Sequence, residues 1–146
     1  MKKTFVTLFL SLTVLVSAMA ATSDPDIDPR IISAFQKEFS FAKDVKWQQK
    51  GELAQVNFSL YDHGFVAWYN SEAELVSTAR NILYMQLPLS VIKTLQQQYA
   101  GAEFSGVVEI TRNEQTSYHI SAEIKNKKYL LEASPYGNVN IVKRIK

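Results

Sequence analysis

The sequence predicts an α+β domain: a tandem repeat of two helix-plus-antiparallel-four-strand units, with the helices packed on one face of the sheet. Three observations predict it. Two segments carry apolar residues at helical spacing, Ile31, Ile32, Phe35 and Phe39 in one and Val91, Ile92, Leu95 and Tyr99 in the other. Each is followed by four short β-like runs in the same order, and setting Ile31 over Val91 also sets Phe35 over Leu95, Gln36 over Gln96 and Phe39 over Tyr99. The clearest runs alternate, so each strand has one face to bury and one to show.

Asp28-Pro29 opens the first helix, with aspartate as the N-cap and proline at the first helical position, where its missing N–H costs nothing. The helix should end near Ser40, with the rings of Phe35 and Phe39 lying on the sheet near Trp47 and Phe58. Val45-Lys46-Trp47 is the first strand, and the shared face of Val45 and Trp47 predicts that both are core. Gln49-Lys50-Gly51-Glu52 is a turn. Leu53 to Tyr61 alternates, with Val56, Phe58 and Leu60 against Gln55, Asn57, Ser59 and Tyr61. Asp62-His63-Gly64 reads as a tight turn, Phe65 to Tyr69 as a third strand and Leu75 to Ile82 as a fourth. Leu87-Pro88-Leu89-Ser90 opens the second helix. Phe104 to Thr111 is β-like. Ser117 to Ile124 alternates, with Tyr118, Ile120, Ala122 and Ile124 against His119, Ser121 and Glu123. Asn126 marks a turn, Tyr129 to Ala133 a strand, Pro135-Tyr136-Gly137-Asn138 a turn, and Val139 to Ile145 the last strand. The two units run over about 28–84 and 85–146. The open face of the sheet should then show Gln55, Asn57, Ser59, Tyr61, His119, Ser121 and Glu123.

The first twenty residues read as a secretory signal peptide. Lys2 and Lys3 form a positive start, Thr4 to Val16 is an uncharged apolar run, and Ala18-Met19-Ala20 is a small-residue cleavage site. The apolar run is shorter than the roughly 20 residues that a spanning helix needs, and no later stretch is long and apolar enough to span. Residues 21–27 form a polar, flexible leader, and 28–146 the folded domain. The expected location is the periplasm or the outside of the cell. With 47% hydrophobic residues the chain can bury a core. The 146 residues include 16 basic and 14 acidic ones, so removing Lys2 and Lys3 leaves 14 against 14. That balance argues against a nucleic-acid partner, which demands a basic patch able to displace counterions. The chain has no cysteine, which rules out disulfides, zinc thiolates and thiol nucleophiles.

Ala34 to Trp47, with Phe35, Phe39, Ala42, Val45 and Trp47 at their spacings, resembles the opening of the PepSY-like, β-lactamase-inhibitor-like domains of exported Bacteroidetes proteins. Leu87-Pro88, Val91, Leu95 and Tyr99 carry the resemblance through the second half. Two places depart from the pattern: the turn Asn70-Ser71-Glu72-Ala73 lacks the glycine often seen there, and Val107-Val108 stands where the pattern allows a tryptophan. The resemblance implies a tandem α/β repeat whose sheet serves as a binding surface.

Catalytic and metal-binding patterns are weak by comparison. Asp24, Asp26 and Asp28 have the spacing that opens a calcium loop, but Pro29 takes the glycine position and Phe35 the bidentate glutamate position. His63 lies at a turn. His119 shares a strand face with Ser121, but residues two apart on a strand lie about 7 Å apart, beyond contact of a nucleophile and its base. The chain is therefore expected to use no cofactor or metal and to be no enzyme. Partner contact is expected from the polar strand faces, Gln55, Asn57, Ser59, Tyr61, His119 and Ser121, and from Tyr136 at its turn tip. The partner expected is an extracytoplasmic protein or peptide. The competing expectation is a small-ligand carrier or enzyme with a cavity between helices and sheet.

Overall fold

The structure, a computed structural model, describes residues 26–145. The signal peptide reading, Asp24 and most of the leader lie outside the described residues. Helix α1 spans Pro29–Glu38 and is followed by β1 Lys43–Lys50, β2 Leu53–Leu60, β3 His63–Tyr69 and β4 Leu75–Ile82. A short 3-10 turn, Tyr84–Gln86, leads into α2 Leu89–Gln98. Then come β5 Glu103–Arg112, β6 Gln115–Ile124, β7 Lys127–Ala133 and β8 Val139–Ile145.

The predicted class is overturned by the sheet. All eight strands form one antiparallel meander in chain order, β1 to β8. Strand β4 does not end a first unit: it pairs with β5 through six residue pairs, from Ser77 opposite Arg112 to Ile82 opposite Val107. Two ten-residue helices on such a sheet leave a molecule that is mostly β, not two repeated helix-plus-four-strand units. Counting elements in order carries no signal for the pairing of β4 with β5, because the helix between them separates the partners in sequence.

Both helices lie on the same side of the sheet. Asp28 caps α1, its carboxylate accepting from the Arg30 backbone N–H at 2.8 Å and gripping the Arg30 guanidinium. That grip holds the Asp28 carboxyl below its ordinary range. Ile31 and Phe35 then reach down onto Ala54, Val56 and Phe58 of β2 and Ala67 and Tyr69 of β3. The Phe35 ring sits 5.0 Å from Phe58, 5.4 Å from Trp47 and 6.5 Å from Tyr69, mostly edge-on, the arrangement that aromatic quadrupoles favour. Under α2, Val91 and Leu95 meet Val107, Tyr118, Ile120, Ala122, Leu131 and Ala133. The register confirms the shared side: Val56 stands opposite Ala67 and Ala67 opposite Thr78, which shares its face of β4 with Ile82, and Ile82 stands opposite Val107, itself opposite Ile120. Between the helices this side turns polar. Arg80 pairs with Glu109 at 2.7 Å and lies over the Phe65 ring.

One local expectation is corrected. Val45 is exposed at 39%, not core, while Trp47 packs inward. Asp44 takes a left-handed φ of 53°, the β1–β2 register slips between Lys43 and Lys46, and this bulge takes Val45 out of the alternation on which the pairing with Trp47 rested. The turn that lacks a glycine is built otherwise. Ala73 adopts φ 63°, and the Asn70 side chain accepts from the backbone N–H groups of Glu72 and Glu74.

Tyr69 is fully buried, and its hydroxyl donates to Glu38 at 3.4 Å. Burial above all, and then the Glu38 charge, raises its ionisation above the ordinary tyrosine range. A raised folded value means that the stability from this group is complete below about pH 10 and is lost as pH rises beyond it. Denaturation from pH 9 to 11 should therefore show stability falling above pH 10. In Tyr69→Phe that fall should be shallower, by up to about 1.4 kcal/mol per pH unit, the value of one proton. Equal slopes would mean that the hydroxyl reaches water.

Candidate functional site

The side of the sheet opposite the helices is covered by no element among the described residues, and the register maps it strand by strand. On β2 the residues that alternate with the buried Ala54, Val56 and Phe58 are Gln55, Asn57 and Ser59, so these three face the open side. Asn57 stands opposite Lys46 and Val66, and Gln55 opposite Gln48 and Trp68. Val66 leads on to Ala79 and then Ile110, and Trp68 to Ser77 and then Arg112. Asn81 stands opposite Val108, Val108 opposite His119, and His119 opposite Glu132. Ser121 and Glu123, alternating with the buried Ile120 and Ala122, complete this side on β6.

Six of the seven residues that the alternation predicts for the open face thus lie on it, but as two groups. Ser59 on β2 and His119 on β6 are four strand spacings apart, roughly 19 Å. Tyr61 is not on the face. It follows the end of β2 and forms, with Asp62, a turn in which both residues are left-handed (φ 49° and 64°), the hairpin geometry that matches strand twist. It is exposed at 76%. Tyr136, at 88% exposure, tops the β7–β8 turn at the opposite end of the strands.

Between the two polar groups lies what the sequence reading missed. Val66, Trp68, Val108 and Ile110 are half-buried, and Ala79 and Ser77 are buried although no element lies above them. On β3 and β5 both faces carry apolar residues, so alternation is silent there. The register alone assigns Trp68 to the open side and Tyr69 to the core. The predicted turn Asp62-His63-Gly64 is also displaced, since β3 already starts at His63. Gly64 therefore lies within a strand, opposite Ser59.

A depression of about 380 Å³ opens here. Its floor includes Gly64, Val66, Ala79 and Val108, and Lys46, Asn57, Ser59 and Asn81 stand around it. The Asp44 carboxylate at its edge accepts a hydrogen bond from Ser59 Oγ at 2.7 Å. Across the face, His119 Nε2 lies 3.7 Å from Glu132 Oε1, an ion pair when the imidazole is protonated. Ser121 stands opposite Ser105 and Leu130, with no base opposite it on either neighbouring strand. Among the described residues no three carboxylates or imidazoles gather as a metal site. Asp28, one of the three spaced aspartates, is occupied by Arg30.

The same fold occurs in solved structures of Bacteroides proteins. A BLIP-like protein of Bacteroides fragilis superposes with a TM-score of 0.72 at 21% identity, over 81% of this chain and 86% of that one. A DUF2874 family protein of Bacteroides ovatus superposes with a TM-score of 0.70 at 23% identity, over 80% and 89%. A protein of Bacteroides eggerthii, provisionally described as periplasmic, superposes with a TM-score of 0.70 at 17% identity, over 81% and 87%. The likeness is one of fold. One of these proteins is described as BLIP-like, and PepSY-like membership is not confirmed by any of them. No family model and no curated protein matches the sequence.

The turn that carries Tyr136 is fixed to α2. Ser90 Oγ donates to the Pro135 carbonyl at 2.7 Å, and Gly137, at φ 91°, packs so close that a Cβ would sit 2.9 Å from the Ser90 carbonyl oxygen. That oxygen belongs to the helix backbone and cannot step aside. Gly137→Ala should destabilise the fold by about 1–3 kcal/mol, the range for overpacking at a rigid contact. Unchanged unfolding midpoints would mean that the turn moves independently of α2.

Proposed function

We propose that this chain is an exported, non-catalytic protein-binding module, inhibitor-like in form, whose open sheet face receives a protein or peptide outside the cytosol. The observation that carries this reading is the composition of the face. A half-buried apolar centre, Val66, Trp68, Val108 and Ile110, is flanked by polar residues, Gln55, Asn57 and Ser59 on one side and His119 and Ser121 on the other. Apolar anchors within a polar surround are the usual anatomy of a protein interface, and tryptophan is the residue most enriched at its hot spots. The fold shared with a BLIP-like protein supports the reading.

The Lys2-Lys3 start and the Ala18-Met19-Ala20 site support export, with cleavage after Ala20, a leader over 21–27 and a folded domain over 28–146. The description of the Bacteroides eggerthii structure points the same way. A carrier with a cavity between helices and sheet is disfavoured, because under α1 that space is filled by the rings of Phe35, Phe39, Trp47, Phe58 and Tyr69. Tyr61 and Tyr136, at opposite ends of the strands, would serve as outlying contacts.

A photo-crosslinking residue at Asn57 or Ser117, on the open face, should trap a partner in the native periplasm. The same residue at Gln36, exposed on α1, should not. Trp68→Ala should keep its circular dichroism and lose about 2 kcal/mol or more of affinity for the trapped protein, the scale of a hot-spot residue. Crosslinks from Gln36 alone would place the interface on the helix side.

A further inference from the structure

Gly64 lies inside a strand without a backbone reason to be glycine. Its φ is not in the left-handed region, and a Cβ built there would meet nothing within 4 Å. Glycine in a strand costs stability through chain entropy, so its common uses are a bulge, a bend or room for something that approaches closely. Its pairing with Ser59 is regular, because the β2–β3 register runs unbroken from Ala54–Tyr69 to Leu60–His63. What the missing side chain leaves is the floor of the 380 Å³ depression, beside Val66, Ala79 and Val108.

Along this side of the sheet cations outnumber acids: Lys46 lines the depression, Lys50 and Arg112 lie farther along the strands, and Asp44 is the one acid at its edge. On the open side of β1 to β4, and on β5 from Val108 to Arg112, alternation places Lys46, Lys50 and Arg112, all exposed. The carboxylate partner of Arg80, Glu109, is turned to the helix side. Asp44, at the β1 bulge, is the one acid at the depression, and it is engaged by Ser59. None of the three cations has an ion-pair partner among the described residues, where the pairs are Arg30–Asp28, Arg80–Glu109 and His119–Glu132.

We infer that the depression over Gly64 seats one large apolar side chain of an acidic protein segment, whose flanking carboxylates meet Lys46 on one side and Arg112 on the other. The volume holds one aromatic ring. The apolar floor rewards its burial, and the excess of cations over the single acid steers and orients acidic neighbours. This inference rests on the open face being the interface and adds the chemistry of what it recognises.

The test uses the isotope-labelled exported chain and two blocked heptapeptides, each with a central tryptophan, one flanked by aspartates and the other by lysines. The aspartate peptide should shift the amides of Gly64, Ala79 and Val108 and bind at least tenfold more tightly than the lysine peptide. Lys46→Glu with Arg112→Glu should reverse that preference. Gly64→Leu, which fits the backbone and fills the depression, should weaken the aspartate peptide at least tenfold and leave the melting temperature unchanged or higher. The inference is overturned if no shift appears at millimolar peptide, if both peptides bind alike, or if an aspartate peptide without tryptophan gives the same shifts. It is also overturned if the same amides shift with protein concentration alone, which would make a second copy the occupant. A partner that crosslinks at Asn57 equally well in wild type and Gly64→Leu would remove this inference and leave the open face as the interface.

Discussion

The pairing of β4 with β5 is the constraint on which the rest depends. Those six residue pairs turn two groups of strands into one eight-stranded sheet. Without them Leu75–Ile82 and Glu103–Arg112 would each be an edge, offering unpaired backbone groups to any passing strand. With them the exposed edges are β1 and β8, and the middle of the sheet is closed. The same ladder builds the centre of the open face. Ala79 stands opposite Ile110, Ser77 opposite Arg112 and Asn81 opposite Val108, so small side chains on β4 lie below larger ones on β3 and β5. The burial of Ala79 and Ser77 on an uncovered side follows from this.

Much of the element order was legible, and the reason is local chemistry. Asp28-Pro29 set the start of α1 through a cap that the structure shows bonded to Arg30, and the alternation shows in the burial of β2 from Ala54 to Phe58 and of β6 from Tyr118 to Ala122. The architecture was not legible. Two helices followed by similar runs suggested repeated units, whereas a ladder joins the fourth strand to the fifth across an intervening helix. Val45 was misplaced for a different reason. A single left-handed residue, Asp44, resets the strand's phase, and aspartate tolerates that conformation without any glycine to announce it.

The candidate site divides along the same line. Polar strand faces could be read from β2 and β6 because those strands bury one face only. The apolar centre could not, because Val66 and Trp68 alternate with Phe65, Ala67 and Tyr69, and Val107 adjoins Val108, so both faces look alike until the register separates them. Tyr61 was assigned to the strand that ends at Leu60, and its exposure belongs to a turn. The open face therefore consists of predicted polar margins around an unpredicted apolar middle. The helix side is unlike it: its apolar residues are covered by α1 and α2, and its central charges, Arg80 and Glu109, neutralise each other.

Native-state hydrogen exchange of the backbone amides of β4 and β5 tests the continuous sheet most directly. If the β4–β5 ladder unites the molecule, the hydrogen-bonded amides within 77–82 and 107–112 should exchange only through global unfolding, with the same opening free energy as the buried amides of Val56 and Ile120. Amides of β4 and β5 that open well below the global value, while those of β2 and β6 stay protected, would mean that the two helices and their strands are separate units meeting at a weak seam. A single continuous eight-stranded sheet would then be contradicted.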